Sequence, residues 1–345
     1  MEYFVTGATG LIGTHVVERL VEDGHEVVAL TRSRPNASHL PEEATVVEGD
    51  VTEKDSLRDP MAGVDGVFHI AAWFYVGPGP RNVETAERIN VGGTRNVLEL
   101  VDELTVPKAV YTSTIGVHPG TEEGPIDESV TPECPTFGVY FRTKWEAHYE
   151  VAKPMMEAGL PLVVVQPGGV YGPHDKPYGS VRATFRKYLT DDLPMVPQKW
   201  ALPYDYVEDT ARAHIRAMNA GVPGEEYIIG SEARTISEVF ACAEDITGVP
   251  APRTVPDAVF GLLASVMRVA ERVVTPPEGF EPEMLSFLAG RRYEVDNAKA
   301  RRELGIEHRP LEAGLREYFA WEMEQLGMSE QLDRPERKAT PEGTV

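Results

Sequence analysis

The chain has 345 residues, of which 55 are acidic and 33 basic, giving a net charge of −22 at pH 7 with 42% hydrophobic content. Such a surface repels nucleic acid and anionic membranes, and the length allows a large core with a smaller second lobe. Cys134 and Cys242 lie far apart and outside any ligand spacing, which predicts a reducing, cytoplasmic setting with neither disulfide nor metal.

No stretch approaches about 18 uncharged apolar residues, so no membrane span is expected. Met1 leads straight into the first apolar run, so no signal peptide is expected either. Only 9 of the 33 basic residues are lysine. An acid-rich, lysine-poor surface fits a salt-loaded, halophilic cytoplasm, where screening removes the self-repulsion.

Residues 3–5 form a short apolar run, followed at 6–13 by TGATGLIG and then by the amphipathic pattern of Leu11, Val16, Val17, Leu20 and Val21. A strand, a glycine turn and a helix in that order make a dinucleotide site. Gly7 permits the sharp exit from the strand, Gly10 lets backbone approach a pyrophosphate, and Gly13 lets the helix pack on the sheet. Thr9 lies in the turn, and Leu11 and Ile12 open the helix whose free N–H groups face the phosphates.

Further strands are predicted at 26–30, 45–48, 66–70, 108–112 and 162–166, alternating with helices at 11–22, 53–61, 84–104 and 140–157. Pro154 should kink the last helix or end it early. The alternation predicts an α/β fold, a Rossmann-type doubly wound parallel sheet with a smaller C-terminal substrate-binding lobe. Residues 1–170 would form the dinucleotide-binding domain, with late strands from 171–235, and 171–327 the interleaved lobe. In that lobe 171–180 and 193–206 read as loops and 181–189 and 207–219 as helices, while 328–345 reads as a polar, disordered tail. The apolar segment 257–274 lacks a basic face and suits a lid over an apolar substrate better than a membrane-surface helix.

Tyr140 and Lys144 stand four apart, so on a helix both project from one face. A phenol titrates near ~10 and exchanges protons poorly at neutral pH unless a cation stabilises its phenolate, which Lys144 could supply. Upstream, the strand ending in YTSTIGV puts Thr112, Ser113 and Thr114 at the carboxyl edge of a parallel sheet, where ligands bind. The second strand ends in Thr31-Arg32-Ser33-Arg34, without the carboxylate that selects NAD. Arg32 could instead stack on adenine and pair with a 2′-phosphate, so the expected cofactor is NADP, with NAD as the alternative.

Taken together, the TGATGLIG turn, the hydroxyls at 112–114 and the Tyr140/Lys144 pair resemble the extended short-chain dehydrogenase/reductases, the epimerase/dehydratase-like family. The resemblance covers roughly residues 1–325. It implies that Thr114, Tyr140 and Lys144 are catalytic, and that Gly49, Asp50 and Val51 lie at the adenine. His69, Ala71 and Ala72 would line the ribose, with Asn90 in the motif N-x-x-G-T at 90–94. PGGVYGP at 167–173 would place Pro167, Gly168 and Val170 beside the nicotinamide, YVED at 206–209 would open a late helix, and KARRELG at 299–305 matches a closing segment. Family habit also implies a homodimer through the helices at 84–104 and 140–157.

Thr114 is followed by Ile115-Gly116 rather than the Asp-Glu of the family's dehydratases, and Gly168-Gly169 stand where many epimerases carry an asparagine. An arginine common before Y-V-x-D is missing too. Trp73, Phe74, Tyr75, Tyr171, Tyr178, Trp200 and Tyr204 would give an aromatic pocket for a small-molecule ketone or alcohol. The pattern resembles the dihydroflavonol reductase and 3β-hydroxysteroid dehydrogenase-like subgroup. A sugar-nucleotide epimerase with bound NAD and a non-catalytic NADP sensor are the alternatives. The composition carries its own expectation: the folded fraction, followed by circular dichroism, should rise between low and molar salt, and a flat response would leave the chain merely acidic.

Overall fold

A computed structural model describes residues 1–74, 80–118, 120, 124–135, 138–174, 180–271, 282–289 and 291–328. Tyr75, Tyr178 and the tail from residue 329 onward lie outside the described residues.

Short runs rich in valine form strands that, except for the edge strand at Thr45–Glu48, are largely buried on both faces. In chain order these are β1 (Glu2–Thr6), β2 (Glu26–Thr31), β3 (Thr45–Glu48), β4 (Gly66–His69), β5 (Ala109–Thr112) and β6 (Leu162–Gln166). The substrate half adds β7 (Gly169–Tyr171), β8 (Met195–Pro197), β9 (Ala201–Tyr206), β10 (Glu226–Ile228), β11 (Ala233–Thr235) and β12 (Arg253–Val255). Seven of them form one parallel sheet in the order β10-β6-β5-β4-β1-β2-β3. The order reverses between β1 and β4, so the chain leaves these paired neighbours toward opposite faces of the sheet and a crevice opens at their carboxyl ends. β10, from the chain's second half, completes the sheet beside β6.

Side-chain alternation sorts the core into two layers. Tyr3 and Val5 face Val16, Leu20 and Met218 on one side, while Phe4 faces Val97, Val101 and Tyr111 on the other. A third cluster is dominated by rings, among them Tyr171, Phe185, Tyr188, Tyr204, Phe240, Tyr318 and Phe319, and forms the heart of the second lobe. There β11, β9 and β7 make a small mixed sheet and β12 pairs with β8.

Two helices differ from the expectation. The helix at 139–157 runs to Glu157 rather than ending early, but it widens to π geometry over Glu146–Ala152 before α geometry resumes at Lys153–Glu157. A proline ring crowds the carbonyl four residues back, here that of Glu150, and the wide turn relieves this contact. The helix predicted at 84–104 starts earlier, at Pro80, with a π segment at Glu87–Gly92.

The apolar segment forms the helix Asp257–Ala270, whose Phe260 and Ala264 pack on Leu285 of the helix Pro282–Leu288. Leu262, Val266 and Val269 stay exposed, and residues 272–274 lie outside the described residues. Among the described residues no helix is long and apolar enough to cross a membrane.

Candidate active site

The crevice between β1 and β4 deepens into a cleft of about 650 Å³. Its near end is the glycine turn. Gly7 has φ +70°, and a Cβ there would stand 2.7 Å from the Ala71 nitrogen, so only glycine fits the exit from β1. Gly10 caps the helix Leu11–Glu22 with no side chain, and the first turn carries no acid, leaving N–H groups turned to the cleft for an anion. Thr9, Gly10, Leu11, Ile12 and Gly13 line this end, with Arg32, Asp50 and Val51 where an adenosine would lie. Arg32 is exposed, and the Asp50 carboxylate is turned to the Thr52 backbone N–H and hydroxyl at 2.9 and 2.8 Å.

A buried network fixes the floor. The Thr6 hydroxyl oxygen accepts from the Ile70 and Ala71 N–H groups at 3.1 and 3.2 Å, so its own proton goes to His69 Nδ1 at 2.8 Å. His69 Nε2–H then donates to Thr94 Oγ1 at 3.0 Å, and Thr94 donates to the Asn90 carbonyl at 2.6 Å. Burial, with Lys144 nearby, holds the imidazole neutral, its pKa pushed down to about 3.

Asn90 does not line the cleft. Its side-chain amide clasps the Trp73 backbone at 2.7 and 3.1 Å and the Thr143 hydroxyl at 2.9 Å, so it positions the cleft wall. In Asn90 the sequence revealed the motif and not the direction of the side chain.

At the reactive end, β5 and the helix Val139–Trp145 bring Ser113, Thr114, Tyr140 and Lys144 to the cleft together, with Thr112 beside them. Lys144 is buried, and its Nζ donates to the Tyr111 hydroxyl at 2.9 Å and the Thr112 carbonyl at 2.6 Å, 4.4 Å from the Tyr111 ring centre. Burial pulls its pKa down to about 7. Burial also pushes the Tyr140 phenol well above its usual value, while its hydrogen-bonding neighbour Thr114 draws it back. Thr114 Oγ1 accepts from the Gly116 N–H at 3.1 Å. The Thr112 hydroxyl meets His214 at 2.8 Å and the Ser113 hydroxyl meets His148 at 3.0 Å.

Pro167, Gly168 and Val170 form the opposite wall. Asp205 of β9, buried, fixes this loop by accepting from the Gly168 N–H at 2.6 Å and the Ser231 N–H at 2.7 Å. Nothing in the sequence singled Asp205 out, because its partner N–H groups are brought to it by the second lobe.

The far end is aromatic, with a different membership from the expected one. Trp73, Phe74 and Trp200 line it, but Tyr171 and Tyr204 do not. Both tyrosines sit in the ring-rich core, Tyr171 edge-on to Phe185, Tyr206 and Tyr318, and Tyr204 stacked on Phe185. Phe141, Phe287 and Tyr293 take their place. Phe141 stacks on Phe287 at 5.0 Å, and Phe287 meets Trp200 edge-on at 5.7 Å. Phe141, one residue after Tyr140, was open to inference from the sequence; Phe287 arrives from the end of the chain and was not. Among the described lining residues the only cations are Arg32 and Lys144, and no cluster of metal-binding side chains is found among the described residues.

The low Lys144 value has a thermodynamic consequence. Below about pH 7 the buried ammonium carries its full desolvation cost; above it the folded state releases a proton that the unfolded chain keeps up to about 10.4. Stability relative to Lys144→Met should therefore rise with pH through that window, measured by denaturant unfolding, and a pH-independent difference would contradict the burial of a free ammonium.

The model of the NAD dependent epimerase/dehydratase family matches residues 3–230. A dihydroflavonol 4-reductase-like protein of Synechocystis sp. is 32% identical over 92% of this chain and 94% of its own length. The 3 beta-hydroxysteroid dehydrogenase/Delta 5→4-isomerase of Mycobacterium tuberculosis is 29% identical over 88% and 85%. Among solved structures, the UDP-glucose 4-epimerase of Thermotoga maritima superposes with a TM-score of 0.76 at 25% identity, covering 94% of this chain and all of that one. Relatives thus span reductases, steroid dehydrogenases and sugar-nucleotide epimerases. Glycine turn, parallel sheet and family match agree: the chain belongs to the NAD dependent epimerase/dehydratase family, the extended short-chain dehydrogenase/reductases, whose members are NAD(P)-dependent enzymes.

Proposed function

We propose that this protein is an NADP(H)-dependent carbonyl reductase or alcohol dehydrogenase acting on the ketone or secondary alcohol of an apolar, ring-containing small molecule. The observation that carries this reading is the meeting of Thr114, Tyr140 and Lys144 in one cleft whose far end is aromatic and holds no cation for a diphosphate among its described residues. The glycine turn, with a cradle that a Cβ at Gly7 would fill and an uncapped helix end, fits a dinucleotide.

A bound nicotinamide would supply the hydride for reduction or take it in oxidation. Thr114 and Tyr140 would donate to the substrate oxygen, polarising the carbonyl, and Tyr140 would pass its proton to the new alkoxide. A phenol held above its usual value stays protonated at neutral pH and suits the donor role. Lys144 would hold ribose hydroxyls and, once it carries its proton, lower the Tyr140 pKa for the reverse reaction. Phe74, Phe141, Phe287 and Trp200 would exclude water and hold flat apolar rings.

The likeness to UDP-glucose 4-epimerase favours a sugar-nucleotide reaction as the second reading. It requires tightly held NAD, whereas consumption of added NADPH with a panel of ketones supports the first. Tyr140→Phe should cut turnover by roughly 10²–10⁴-fold while cofactor affinity, read by fluorescence titration, stays within a factor of about two; retained activity would remove Tyr140 from the proton step.

NADPH preference would rest on Arg32, which stands at the adenosine end where no acid faces it from β2. Arg32→Ser should weaken NADPH binding by about 1.5–3 kcal/mol, the worth of a charged hydrogen bond, and leave NADH binding nearly unchanged. Equal losses for both cofactors would overturn the preference.

A further inference from the structure

Tyr140, Lys144 and then His148 follow at intervals of four, and His148 is fully buried in the π segment Glu146–Ala152. Its Nδ1 lies 3.0 Å from Oγ of Ser113, which lines the cleft beside Thr114. On the opposite side of the ring, Nε2 lies 3.1 Å from Oε2 of Glu226 in β10, an electrostatic contact that lacks hydrogen-bond alignment. That carboxylate is held in turn by Gln166 Nε2, which donates to it at 3.2 Å, and by Lys153 Nζ at 3.4 Å. A carboxylate facing Nε2 favours the proton there, leaving Nδ1 to accept from the serine hydroxyl. Fastening helix to strand does not need this arrangement, because Tyr111, Ala147 and Val151 already pack that seam. A hydroxyl, an imidazole and a carboxylate in sequence, opening on an apolar cleft, are the parts of an activated nucleophile.

We propose that Ser113, His148 and Glu226 form a latent acyl-transfer site for esters of small apolar acids, with Ser113 as nucleophile, His148 as its base and Glu226 orienting the base. The site goes beyond the oxidoreductase reading and does not depend on it. Ser113 Oγ bonds to the ester carbonyl carbon as its proton moves to His148 Nδ1, and the carbonyl π electrons move onto oxygen. The Thr114 and Tyr140 hydroxyls, in the adjoining wall, are donors for that oxyanion. Collapse breaks the bond to the alcohol, which leaves with the proton from Nδ1. Water then attacks the acyl-serine by the same route, releasing the acid and restoring the hydroxyl. The imidazole is used the other way round from the serine-protease template, which is open to it because either ring nitrogen can accept while the other carries the proton.

The test is a fluorophosphonate probe applied to the full-length protein, with the adduct located by mass spectrometry. The expected result is an adduct on Ser113, formed roughly 100-fold more slowly in His148→Gln and more slowly also in Glu226→Gln, with both variants shown to be folded by their thermal transitions. Should His148→Gln fail to fold, Glu226→Gln, nearer the surface, carries the comparison. Absence of an adduct on Ser113 in the unaltered protein, or undiminished labelling in the folded variants, overturns the proposal.

Discussion

The cleft depends on one buried ammonium. Lys144 is held out of water between the Tyr111 hydroxyl and the Thr112 carbonyl, and this grip joins the helix Val139–Trp145 to β5. Desolvating a cation is costly unless its protons are received, and here one neutral hydroxyl, one carbonyl and a ring face do so without a carboxylate. With no counter-ion among the described residues to lock it, the ammonium keeps a proton affinity that a ligand can adjust. Tyr111, its pKa raised by burial, connects it to the network under the glycine turn by stacking on His69 at 5.5 Å.

That network has a single consistent set of protons. Thr6 accepts twice from backbone and must donate to His69; His69 donates to Thr94, whose own proton is committed to the Asn90 carbonyl. Every member is satisfied, so the floor is rigid, and a rigid floor is what orientation-dependent hydride chemistry requires. Neutral His69 follows directly, since a second charge beside Lys144 in a dry layer would repel it.

Much of this was legible in the chain. Hydrophobic runs of four to six residues separated by helical periods identify the strands, and glycines at three-residue intervals after a strand identify the turn, because both are local consequences of backbone geometry. Local signals also located the Tyr140/Lys144 pair, since two residues four apart on a helix share a face whatever surrounds it. They erred where neighbours were decided at long range. Tyr171 and Tyr204 carry the same chemistry as a pocket tyrosine, but the helices Ser180–Leu189 and Leu311–Gln325 cover them with Phe185 and Tyr318. Pro154 announced a break that the π segment instead absorbed.

By itself the sequence determined the doubly wound sheet, the glycine turn and the shared helix face of Tyr140 and Lys144, for these rest on periodicity and spacing within short segments. Tertiary structure alone decided which aromatic rings face the cleft, how Lys144 is held and that Asp205 fixes the loop at Gly168. It also decided that Ser113, His148 and Glu226 stand in a row. The physical reason is that β10 enters the sheet next to β6, carrying Glu226 across more than sixty residues of chain to a histidine on the far helix, and no local pattern encodes the side on which a late strand docks.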